Sequence, residues 1–340
     1  MVRRGPRSGL YSIVAIHSTE RGPALGGCRM WTYHDARAAV RDALRLSRAM
    51  TAKSAVADLP LGGGKGVVML PSAGPPLDPD RRRAALLDFG DTLASLGGRY
   101  ITAEDVGTSD ADMEVIAERT EHVAGLSHER GGSGDPSPST ALGVLAAIRV
   151  TGERAWGSPS LAGRRIAVLG VGHVGARLAR LLAEEGARLV LADLDPAKRA
   201  LADELGADWS TPDEALTADV DLVAPCALGG VLDHDTVPAL RCRAVAGAAN
   251  NQLAADDVAA LLQARGIVWA PDFVANAGGI INIAVELEPA GYDPARARVR
   301  VLAIGDTLRE VFAMADAEAT TPLAAALELA ARRLGGARGA

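Results

Sequence analysis

The stretch RRIAVLGVGHVGARLARLLAEEGARLVLADLD, residues 164–195, decides the fold of this chain. The apolar run Ile166–Leu169 predicts a buried strand, and apolar positions at helical spacing predict a helix over Val174–Ala183. A second apolar run follows and ends at Asp193. Glycines fill the turn between the first strand and the helix in GxGxxG spacing, at Gly170, Gly172 and Gly175. This order of elements is typical of a βαβ unit that binds a dinucleotide.

Each part of this unit has a physical purpose in that interpretation. Gly170 permits the tight turn, Gly172 lets the backbone approach a pyrophosphate, and Gly175 allows the helix to pack closely on the strand. The N–H groups at the helix N-terminus face the phosphates. Asp193 is placed to accept a hydrogen bond from the ribose 2′-hydroxyl, and its charge repels a 2′-phosphate. The sequence therefore favours NAD over NADP as the cofactor.

Outward from this unit, the chain predicts an α/β protein with two domains. After residue 164, short apolar runs alternate with helical patterns, which predicts a parallel sheet covered by helices on both faces. The earlier part is mixed α/β, and the Gly/Pro/Ser-rich segment Gly131–Thr140 is typical of a linker. We expect a catalytic, substrate-binding and oligomerisation domain over 1–138, a Rossmann domain over 139–310, and C-terminal helices over 311–340.

Composition excludes several classes of function. Hydrophobic residues make up 48% of the 340 residues, the net charge is −6, and no stretch approaches the ~20 apolar residues of a membrane span. An acidic chain of this kind favours neither nucleic acid nor an anionic membrane surface. The cysteines and histidines form no metal-ligand spacing, so no metal is expected. An odd number of distant cysteines suggests reduced thiols and a cytoplasmic location.

Two lysines stand in an unusual small-residue context. The segment Met50–Val68 places Lys53 and Lys65 on either side of an Ala/Leu-rich stretch, the second after three glycines. A phosphate-binding P-loop is excluded, because it needs glycine where Leu59 stands and Ser or Thr where Gly66 stands. A lone lysine is ordinarily a solvated surface cation, but one among small apolar residues requires a partner.

The chain resembles the leucine/valine/phenylalanine dehydrogenase branch of the amino-acid dehydrogenases, which are relatives of glutamate dehydrogenase. The matching motifs run in family order over nearly the whole chain: GPALGGCRMW (22–31), MTAK (50–53), LPLGGGKG (59–66), GRYITAEDVGT (98–108), GDPSPSTALGV (134–144), GVGHVG (170–175), APCALGG (224–230), AGAANNQLA (246–254) and APDFVANAGGIIN (270–282). The resemblance implies an oxidoreductase that acts on the CH–NH₂ group of an L-amino acid with NAD. It also implies C-terminal helices that return to the first domain.

The resemblance assigns the catalytic roles residue by residue. Lys53 is expected to pair with the substrate α-carboxylate, aided by the backbone of Gly26 and Gly27. Lys65 is expected to exchange protons with water, and Asp105 to orient or deprotonate the attacking water and the amino group. A lysine that must sometimes be neutral needs a pKa lowered towards the working pH, and burial has that effect. We therefore predict an alkaline optimum for deamination.

Further residues are expected at the cofactor and the substrate side chain. Thr140 and Asn276 are expected near the nicotinamide, Arg29 near the cofactor, and Asn250 and Asn251 between cofactor and substrate, with Asn251 and Asn276 also touching substrate. The remaining predicted cofactor contacts are Gly170, Gly172, His173, Val174, Gly175, Asp193 and Ala227. The walls expected around the substrate side chain are Leu25, Ala103, Ile280 and Ile283.

These walls are apolar and favour a neutral side chain, but they leave the amino acid open. One methylene changes selectivity by only ~1–3 kcal/mol, so branched-chain substrates and aromatic ones (phenylalanine or tryptophan) both fit. Family members often carry an acid where this chain has Val285. The resemblance implies a reversible reaction with 2-oxo acid and ammonia, and a homo-oligomer. A non-catalytic NAD-binding relative is the alternative from another class, although Lys65 and Asp105 are both present.

Overall fold

The computed structural model describes residues 1–72 and 77–336. The chain separates into two compact units. Unit 1 comprises Met1–Pro136, Asn282–Pro294 and Ala330–Ala340, and unit 2 comprises Ser137–Ile281 and Ala295–Leu329. Of the predicted C-terminal segment, residues 337–340 lie outside the described part of the chain.

The predicted division into 1–138, 139–310 and 311–340 stays a prediction, and the units differ from it in two segments. Residues 282–294 lie in unit 1, where Ser133 Oγ donates to the Glu286 carboxylate at 2.6 Å. Residues 311–329 lie in unit 2, where Asp316 forms an ion pair with Arg154 at 2.6 Å. Both segments make contacts with residues far away in the sequence, which linker composition does not reveal.

Unit 1 is built on a mixed sheet with helices. Its strands are β1 (Val2–Arg4), β2 (Tyr11–Ser18), β3 (Ala24–Thr32), β4 (Gly62–Leu70) and β5 (Tyr100–Glu104). Its helices before the linker are α1 (Ala36–Val56), α2 (Pro79–Ala94) and α3 (Asp110–Ala117). Asp35 begins α1 by accepting a hydrogen bond from the Ala38 N–H, and Ser109 begins α3 through a capping box with Asp112.

The sheet of unit 1 has the strand order β1-β2-β4-β3-β5. Strands β3, β4 and β5 are mutually parallel, so their carboxyl ends share one edge, whereas β2 runs antiparallel to β4. The core on one face is apolar and includes Phe89, Leu93 and Tyr100, all fully buried. The carboxyl end of β5 therefore lies level with the middle of β3 and β4, because Glu104 is opposite Cys28 and Cys28 is opposite Gly66.

Unit 2 contains the quoted stretch and a parallel sheet. Its elements up to the sheet's last strand are α4 (Ser137–Trp156), β6 (Arg165–Leu169), α5 (His173–Glu184), β7 (Arg188–Ala192), α6 (Arg199–Leu205), β8 (Asp208–Ser210), α7 (Pro212–Leu216), β9 (Leu222–Pro225), β10 (Ala244–Val245), α8 (Val258–Ala264) and β11 (Val268–Trp269). The later helices are α9 (Asp272–Ala275), α10 (Gly278–Glu286), α11 (Pro294–Leu302), α12 (Ile304–Ala317) and α13 (Pro322–Gly336), of which α10, α11 and α13 each have residues in both units.

The sheet of unit 2 has the order β11-β10-β9-β6-β7-β8, with parallel pairing throughout. The first strand, β6, lies between β7 and β9, so the strand order reverses at its carboxyl end. Helix α5 buries Leu178, Ala179 and Leu182, which recur at helical spacing. This is the doubly wound arrangement that residues 164–195 predict, and the predicted α/β class is confirmed.

Within the described residues, no helix has both the length and the apolar character needed to cross a membrane.

Candidate active site

The two predicted catalytic residues of unit 1 are in direct contact. Lys65 lies in the middle of β4, and Asp105 directly follows β5. The Lys65 Nζ lies 2.8 Å from Asp105 Oδ2, and the lysine is only 4% exposed. Strand β3 runs between them and contributes Arg29, whose Nε donates to the same Asp105 oxygen at 2.9 Å. Asp105 Oδ2 is thus paired with two cationic side chains, one on β4 and one on β3.

Burial and charge act on this pair in opposite directions. Burial lowers the pKa of Lys65, and the nearby Asp105 carboxylate offsets part of that shift. Burial also raises the pKa of Asp105, but Lys65 and Arg29 together outweigh it and hold that pKa below its usual value. Asp105 is therefore ionised at neutral pH, while Lys65 is an amine that loses its proton more readily than an ordinary lysine.

Arg29 lies in unit 1 with its guanidinium between two carboxylates. Besides the bond to Asp105, its Nη1 donates to Asp42 Oδ2 at 2.9 Å. Its predicted contact with the cofactor stays a prediction. Asp42 was not among the residues singled out from the sequence, because it is an ordinary polar position on a helix, thirteen residues after Arg29. No local motif signals that pairing.

The glycine pair on β3 brings two backbones close together. A Cβ on Gly26 would lie 1.8 Å from the Gly64 carbonyl oxygen, and one on Gly27 would lie 2.6 Å from the Asp105 Cβ. Neither position tolerates a side chain. The buried Tyr100 hydroxyl donates to the Gly26 carbonyl at 2.5 Å and so fixes the orientation of the Gly26–Gly27 peptide.

Thr108 is a further residue that the sequence did not single out. Its Oγ1 accepts from the Asp105 N–H at 3.0 Å and donates to the Cys28 carbonyl at 2.8 Å. The turn that carries Asp105 is therefore tied to β3. The signal in the sequence was the threonine three residues after the acid in EDVGT, a spacing that permits a side-chain-to-backbone bond.

The other predicted substrate residues are divided between the units. Lys53 lies half-buried in the last turn of α1, which packs on β4 so closely that a Cβ on Gly63 would lie 2.1 Å from the Thr51 nitrogen. Leu25 and Ala103 are buried on β3 and β5 of the same unit. Ile283, also buried, belongs to unit 1, whereas Ile280 belongs to unit 2.

Val285 is fully buried, and the next residue supplies the carboxylate of this segment. Glu286 accepts from the Gly125 N–H and from the N–H and hydroxyl of Ser133, with the hydroxyl bond at 2.6 Å. The acid thus ties α10 to the loop before the linker, within unit 1. An acid at 285 would require a buried charge where this chain has an apolar contact.

In unit 2 the glycine turn has the shape that a dinucleotide needs. Gly170 has a φ of +96°, and a Cβ there would lie 2.5 Å from that of Ala227. A Cβ on Gly175 would lie 1.9 Å from the Gly170 oxygen, so the helix packs directly on the turn. Gly172, exposed, has nothing within 4 Å of a Cβ position and begins α5 without a side-chain cap. His173 and Val174 form the first turn of that helix.

Asp193 is already oriented at the end of β7. Its Oδ2 accepts from the Val171 N–H at 2.8 Å, and its Oδ1 accepts from the Asp195 N–H at 3.0 Å. Each oxygen keeps a second lone pair for a hydroxyl donor. The carboxylate is therefore held in one orientation next to the glycine turn.

Asn276 provides a second test of whether a nicotinamide cofactor fits unit 2. Its amide nitrogen donates to the Ala248 carbonyl at 3.0 Å and to Asn250 Oδ1 at 2.8 Å. Its own Oδ1 is buried and has no hydrogen-bond partner among the described residues. An orphaned buried acceptor is rare and calls for a ligand or a water. The carboxamide of a nicotinamide would supply the missing N–H donor.

The remaining predicted residues of unit 2 lie on loops or helix starts. Asn251, exposed, has a φ of +53°, a conformation that Asn adopts more readily than most residues. Thr140 lies in the first turns of α4, and a Cβ on Gly278 would lie 3.0 Å from its Cα. In the described part of the chain, no group of His, Cys, Asp and Glu side chains has the arrangement of a metal site.

Unit 1 contains a buried lysine–aspartate pair. Unit 2 is a Rossmann unit whose glycine turn, acid and orphaned amide fit a dinucleotide. Together they define a class of protein, the nucleotide-dependent dehydrogenases. The family described as Glu/Leu/Phe/Val dehydrogenase, dimerisation domain, matches residues 3–122. The family described as Glutamate/Leucine/Phenylalanine/Valine dehydrogenase matches residues 191–291. The chain belongs to the Glu/Leu/Phe/Val dehydrogenase family, and it is an oxidoreductase of the amino-acid dehydrogenase class.

Individual relatives agree with this assignment. The chain is 45% identical to leucine dehydrogenase from Geobacillus stearothermophilus, over 96% of this chain and 88% of that one. It is also 45% identical to valine dehydrogenase from Streptomyces virginiae, over 97% and 92%. The crystal structure of L-tryptophan dehydrogenase from Nostoc punctiforme is similar with a TM-score of 0.84 at 37% identity, covering 100% of this chain and 96% of that one. The predicted family membership is confirmed.

Proposed function

We propose that this protein catalyses the reversible NAD-dependent oxidative deamination of branched-chain L-amino acids. In the deamination direction, L-amino acid, water and NAD⁺ give 2-oxo acid, ammonium, NADH and a proton. The observation that carries the proposal is the buried Lys65–Asp105 pair at 2.8 Å, in a chain 45% identical to a leucine dehydrogenase and a valine dehydrogenase.

Lys65 and Asp105 move protons in this proposal. A neutral Lys65 accepts a proton from water as the water oxygen bonds to the substrate iminium carbon, and the protonated lysine polarises the resulting carbinolamine. Asp105, ionised beside two cations, orients the water, then takes the proton of the carbinolamine hydroxyl and passes it to the departing amine as the C–N bond breaks. Because deamination needs the neutral amine of Lys65, its rate rises as the pH passes upward through the lowered pKa of this lysine.

Lys53 and the Gly26–Gly27 backbone are assigned to the substrate α-carboxylate. An ammonium group holds a carboxylate as a point charge without requiring one bonding plane. The Tyr100 hydroxyl, by binding the Gly26 carbonyl at 2.5 Å, sets the direction of the peptide N–H of Gly27. The close approach of β3 to β4 and to Asp105 explains why glycine is needed at both positions.

The residues of unit 2 support NAD as the cofactor. NAD, when bound, accepts the hydride that leaves the substrate Cα. Gly172 leaves open backbone at the start of α5 for the pyrophosphate, and Asp193, held by the Val171 N–H, would accept from the 2′-hydroxyl of the ribose. The orphaned Oδ1 of Asn276 would accept from the nicotinamide amide. The other cofactor contacts proposed are His173, Val174, Thr140, Ala227, Asn250, Asn251 and Arg29.

Branched-chain substrates are favoured over aromatic ones by the relatives. The chain is 45% identical to enzymes named for leucine and valine, and 37% identical to one named for L-tryptophan. The walls at Leu25, Ala103 and Ile283 are apolar and buried, with no charge to bind a side-chain carboxylate, and Ile280 is apolar as well. Leucine, valine and isoleucine match such walls, whereas glutamate would leave a carboxylate unpaired.

The test is a screen of the purified chain for NADH formation with individual L-amino acids. We expect kcat/KM to be highest for leucine, valine or isoleucine, lower for phenylalanine and tryptophan, and undetectable for glutamate. Lys65→Ala should abolish NADH formation and leave NAD binding intact, which excludes a contaminating enzyme. A maximum at phenylalanine or tryptophan would replace the branched-chain assignment, and no turnover with any amino acid would refute the proposal.

We also infer that the chain forms a homo-oligomer and works in the cytoplasm. Residues 3–122 match a family described as a dimerisation domain, and a hetero-hexameric glutamate dehydrogenase from Thermus thermophilus is similar with a TM-score of 0.81 at 25% identity. Cys28, Cys226 and Cys242 are all free thiols. Light scattering after size exclusion tests the assembly, and a single-chain mass would refute it.

A further inference from the structure

Asp42 lies behind the catalytic pair and reaches it through Arg29. The guanidinium bridges the two carboxylates, with Nε on Asp105 Oδ2 and Nη1 on Asp42 Oδ2, each at 2.9 Å. Arg29 and Asp42 are both largely covered, with side chains 21% and 17% exposed. Ion pairs this covered are screened far less than surface pairs. The contact therefore links a helix residue to the proton-transfer site.

Asp42 itself is held by two more donors. The Tyr33 hydroxyl donates to Asp42 Oδ2 at 2.7 Å, and Arg45 donates to Oδ1 at 2.9 Å. These donors and Arg29 outweigh the effect of burial and keep the pKa of Asp42 below its usual value. Burial and the neighbouring Asp42 raise the pKa of Tyr33, so it stays a donor. Asp42 is a fixed anion at neutral pH.

We propose that Asp42 is a positioning residue for the dehydrogenase reaction, which holds Arg29 on Asp105 and limits the positive charge that Arg29 exerts on Lys65. The proposal rests on the proposed function of Lys65 as a proton acceptor. Arg29 stays positive when Lys65 loses its proton, so Asp105 always keeps one cation. Asp42 balances that permanent charge, because otherwise Arg29 would push the lysine towards its neutral form.

The sign of the effect follows from the groups that face Lys65. Asp105 favours its ammonium form, and Arg29 disfavours it. The Cys28 thiol lies close by but is uncharged, because burial raises its pKa well above neutrality. Around Arg29 lie Asp105, Asp42 and Tyr33, and Arg45 faces Asp42 from its own helix. Removing the Asp42 charge must therefore lower the pKa of Lys65, and adding an anion beside Asp42 must raise it.

The test compares Asp42→Asn with Asp42→Glu and Arg45→Glu. In Asp42→Asn the amide oxygen takes the place of Oδ2 and still accepts from Arg29 and Tyr33, while the charge is lost and the exposed Arg45 loses its acceptor. We expect the limb of the kcat profile that reports Lys65 to move about 0.5 pH unit towards acid. Asp42→Glu should return it to within about 0.2 unit of wild type. Arg45→Glu, at a position 56% exposed and thus safe for folding, should move it towards alkali by about 0.3 unit.

The matched control is Asp306→Asn. Asp306 also pairs with an arginine three residues away on a helix, Arg309, but it lies in unit 2 and is 82% exposed. Its loss changes the net charge by the same amount and should leave the profile unmoved. The titration of the amino-acid substrate is common to all variants, so differences between profiles report the enzyme.

A readout without turnover separates this inference from the proposed function. The chain has three lysines, Lys53, Lys65 and Lys198, so ¹³C-lysine labelling gives three ¹³Cε signals, which Lys198→Ala and Lys53→Arg assign. The Lys65 signal should titrate at lower pH in Asp42→Asn and at higher pH in Arg45→Glu. Unchanged titration in both, or lower activity with an unmoved profile, refutes the inference even if the enzyme is active. A wild-type chain without any turnover refutes the proposed function alone.

Discussion

Glycine has different roles in the glycine-rich segments of the two units. In unit 2, Gly172 leaves open space at a helix start, where a ligand would come close to the backbone. In unit 1, the space beside Gly26 is already filled, because the Gly64 carbonyl would lie 1.8 Å from a Cβ. Gly172 leaves room where the proposed cofactor would approach, whereas Gly26 lets β3 and β4 approach each other.

The difference teaches that the two sites rely on contacts of different range. The glycine turn and Asp193 of the proposed cofactor site lie within residues 170–193, where the Gly170 N–H donates to the Ala192 carbonyl and the Val171 N–H to the Asp193 carboxylate. The proposed proton-transfer site joins β3, β4, the end of β5 and α1, and its Arg29 and Asp105 are in contact although they lie seventy-six residues apart. Variants that separate local from long-range contributions test this contrast.

The largest effect is expected from Lys65→Arg. Arginine keeps the positive charge and the pairing with Asp105, but it is never deprotonated in proteins, so it does not accept a proton from water. We expect kcat for deamination to fall by about 10³-fold or more, a range typical for loss of a general base and its positioning. NAD affinity, measured by quenching of protein fluorescence, should stay within about twofold.

A result in which Lys65→Arg keeps more than a tenth of the wild-type rate would contradict the proton-acceptor role. It would leave Lys65 as a purely electrostatic residue. Lys65→Ala does not make that distinction, since it removes charge and base together.

The range of these contacts also explains how much the sequence predicted. The strand–turn–helix unit was predicted closely: the expected strand Ile166–Leu169 and helix Val174–Ala183 lie within β6 and α5 as observed. Both depend on apolar spacing and on a glycine turn, which are local signals.

The features that could not be predicted from the sequence are set by tertiary packing. Strand β3 contains GGC at its centre, and glycine in a strand interior is unfavourable unless another backbone approaches closely. Its neighbours β4 and β5 supply that approach, and they lie far along the chain. Asp42 and Tyr100 likewise reach Arg29 and Gly26 only through packing between elements. Lys65 and Asp105 were identified through family resemblance, whereas Asp42 lies in none of the matching motifs and Tyr100 lies in one, GRYITAEDVGT, that assigned it no role.

The second effect in size compares Gly26→Ala with Gly172→Ala. At Gly26 the added methyl group would meet backbone rather than a movable side chain, so we expect a loss of about 3 kcal/mol in the free energy of unfolding. At Gly172 the space is open, so folding should be unchanged while NAD binding weakens several-fold. Thermal melts with and without NAD distinguish the two. Equal melting temperatures for both variants would contradict the contrast.

A smaller effect is expected from Asp193→Asn. The amide keeps an oxygen for one of the two backbone donors but loses the charge that repels a 2′-phosphate. We expect the ratio of kcat/KM for NAD over NADP to fall by about tenfold, chiefly through weaker NAD binding. Asp195→Asn, two residues on and exposed, is the matched control. An unchanged cofactor ratio would show that Asp193 does not contact the ribose.

The smallest effect concerns the Tyr100 hydroxyl. Pairing of β3 with β4 passes directly from Leu25–Gly63 to Cys28–Gly66, and the Tyr100 hydroxyl donates to the Gly26 carbonyl within that gap. Tyr100→Phe keeps the ring in the core and leaves this carbonyl without its donor, which costs about 1 kcal/mol and lowers the Tm by roughly 2–4 °C. Because the Gly26–Gly27 peptide then turns more freely, KM for the amino acid should rise about twofold with kcat unchanged.

Tyr11→Phe is the control, because it removes an exposed hydroxyl from β2 and should change neither the Tm nor KM. If Tyr100→Phe lowered the Tm without raising KM, the hydroxyl would stabilise the strand pairing alone, and the peptide would hold its direction through the close packing of β3 against β4.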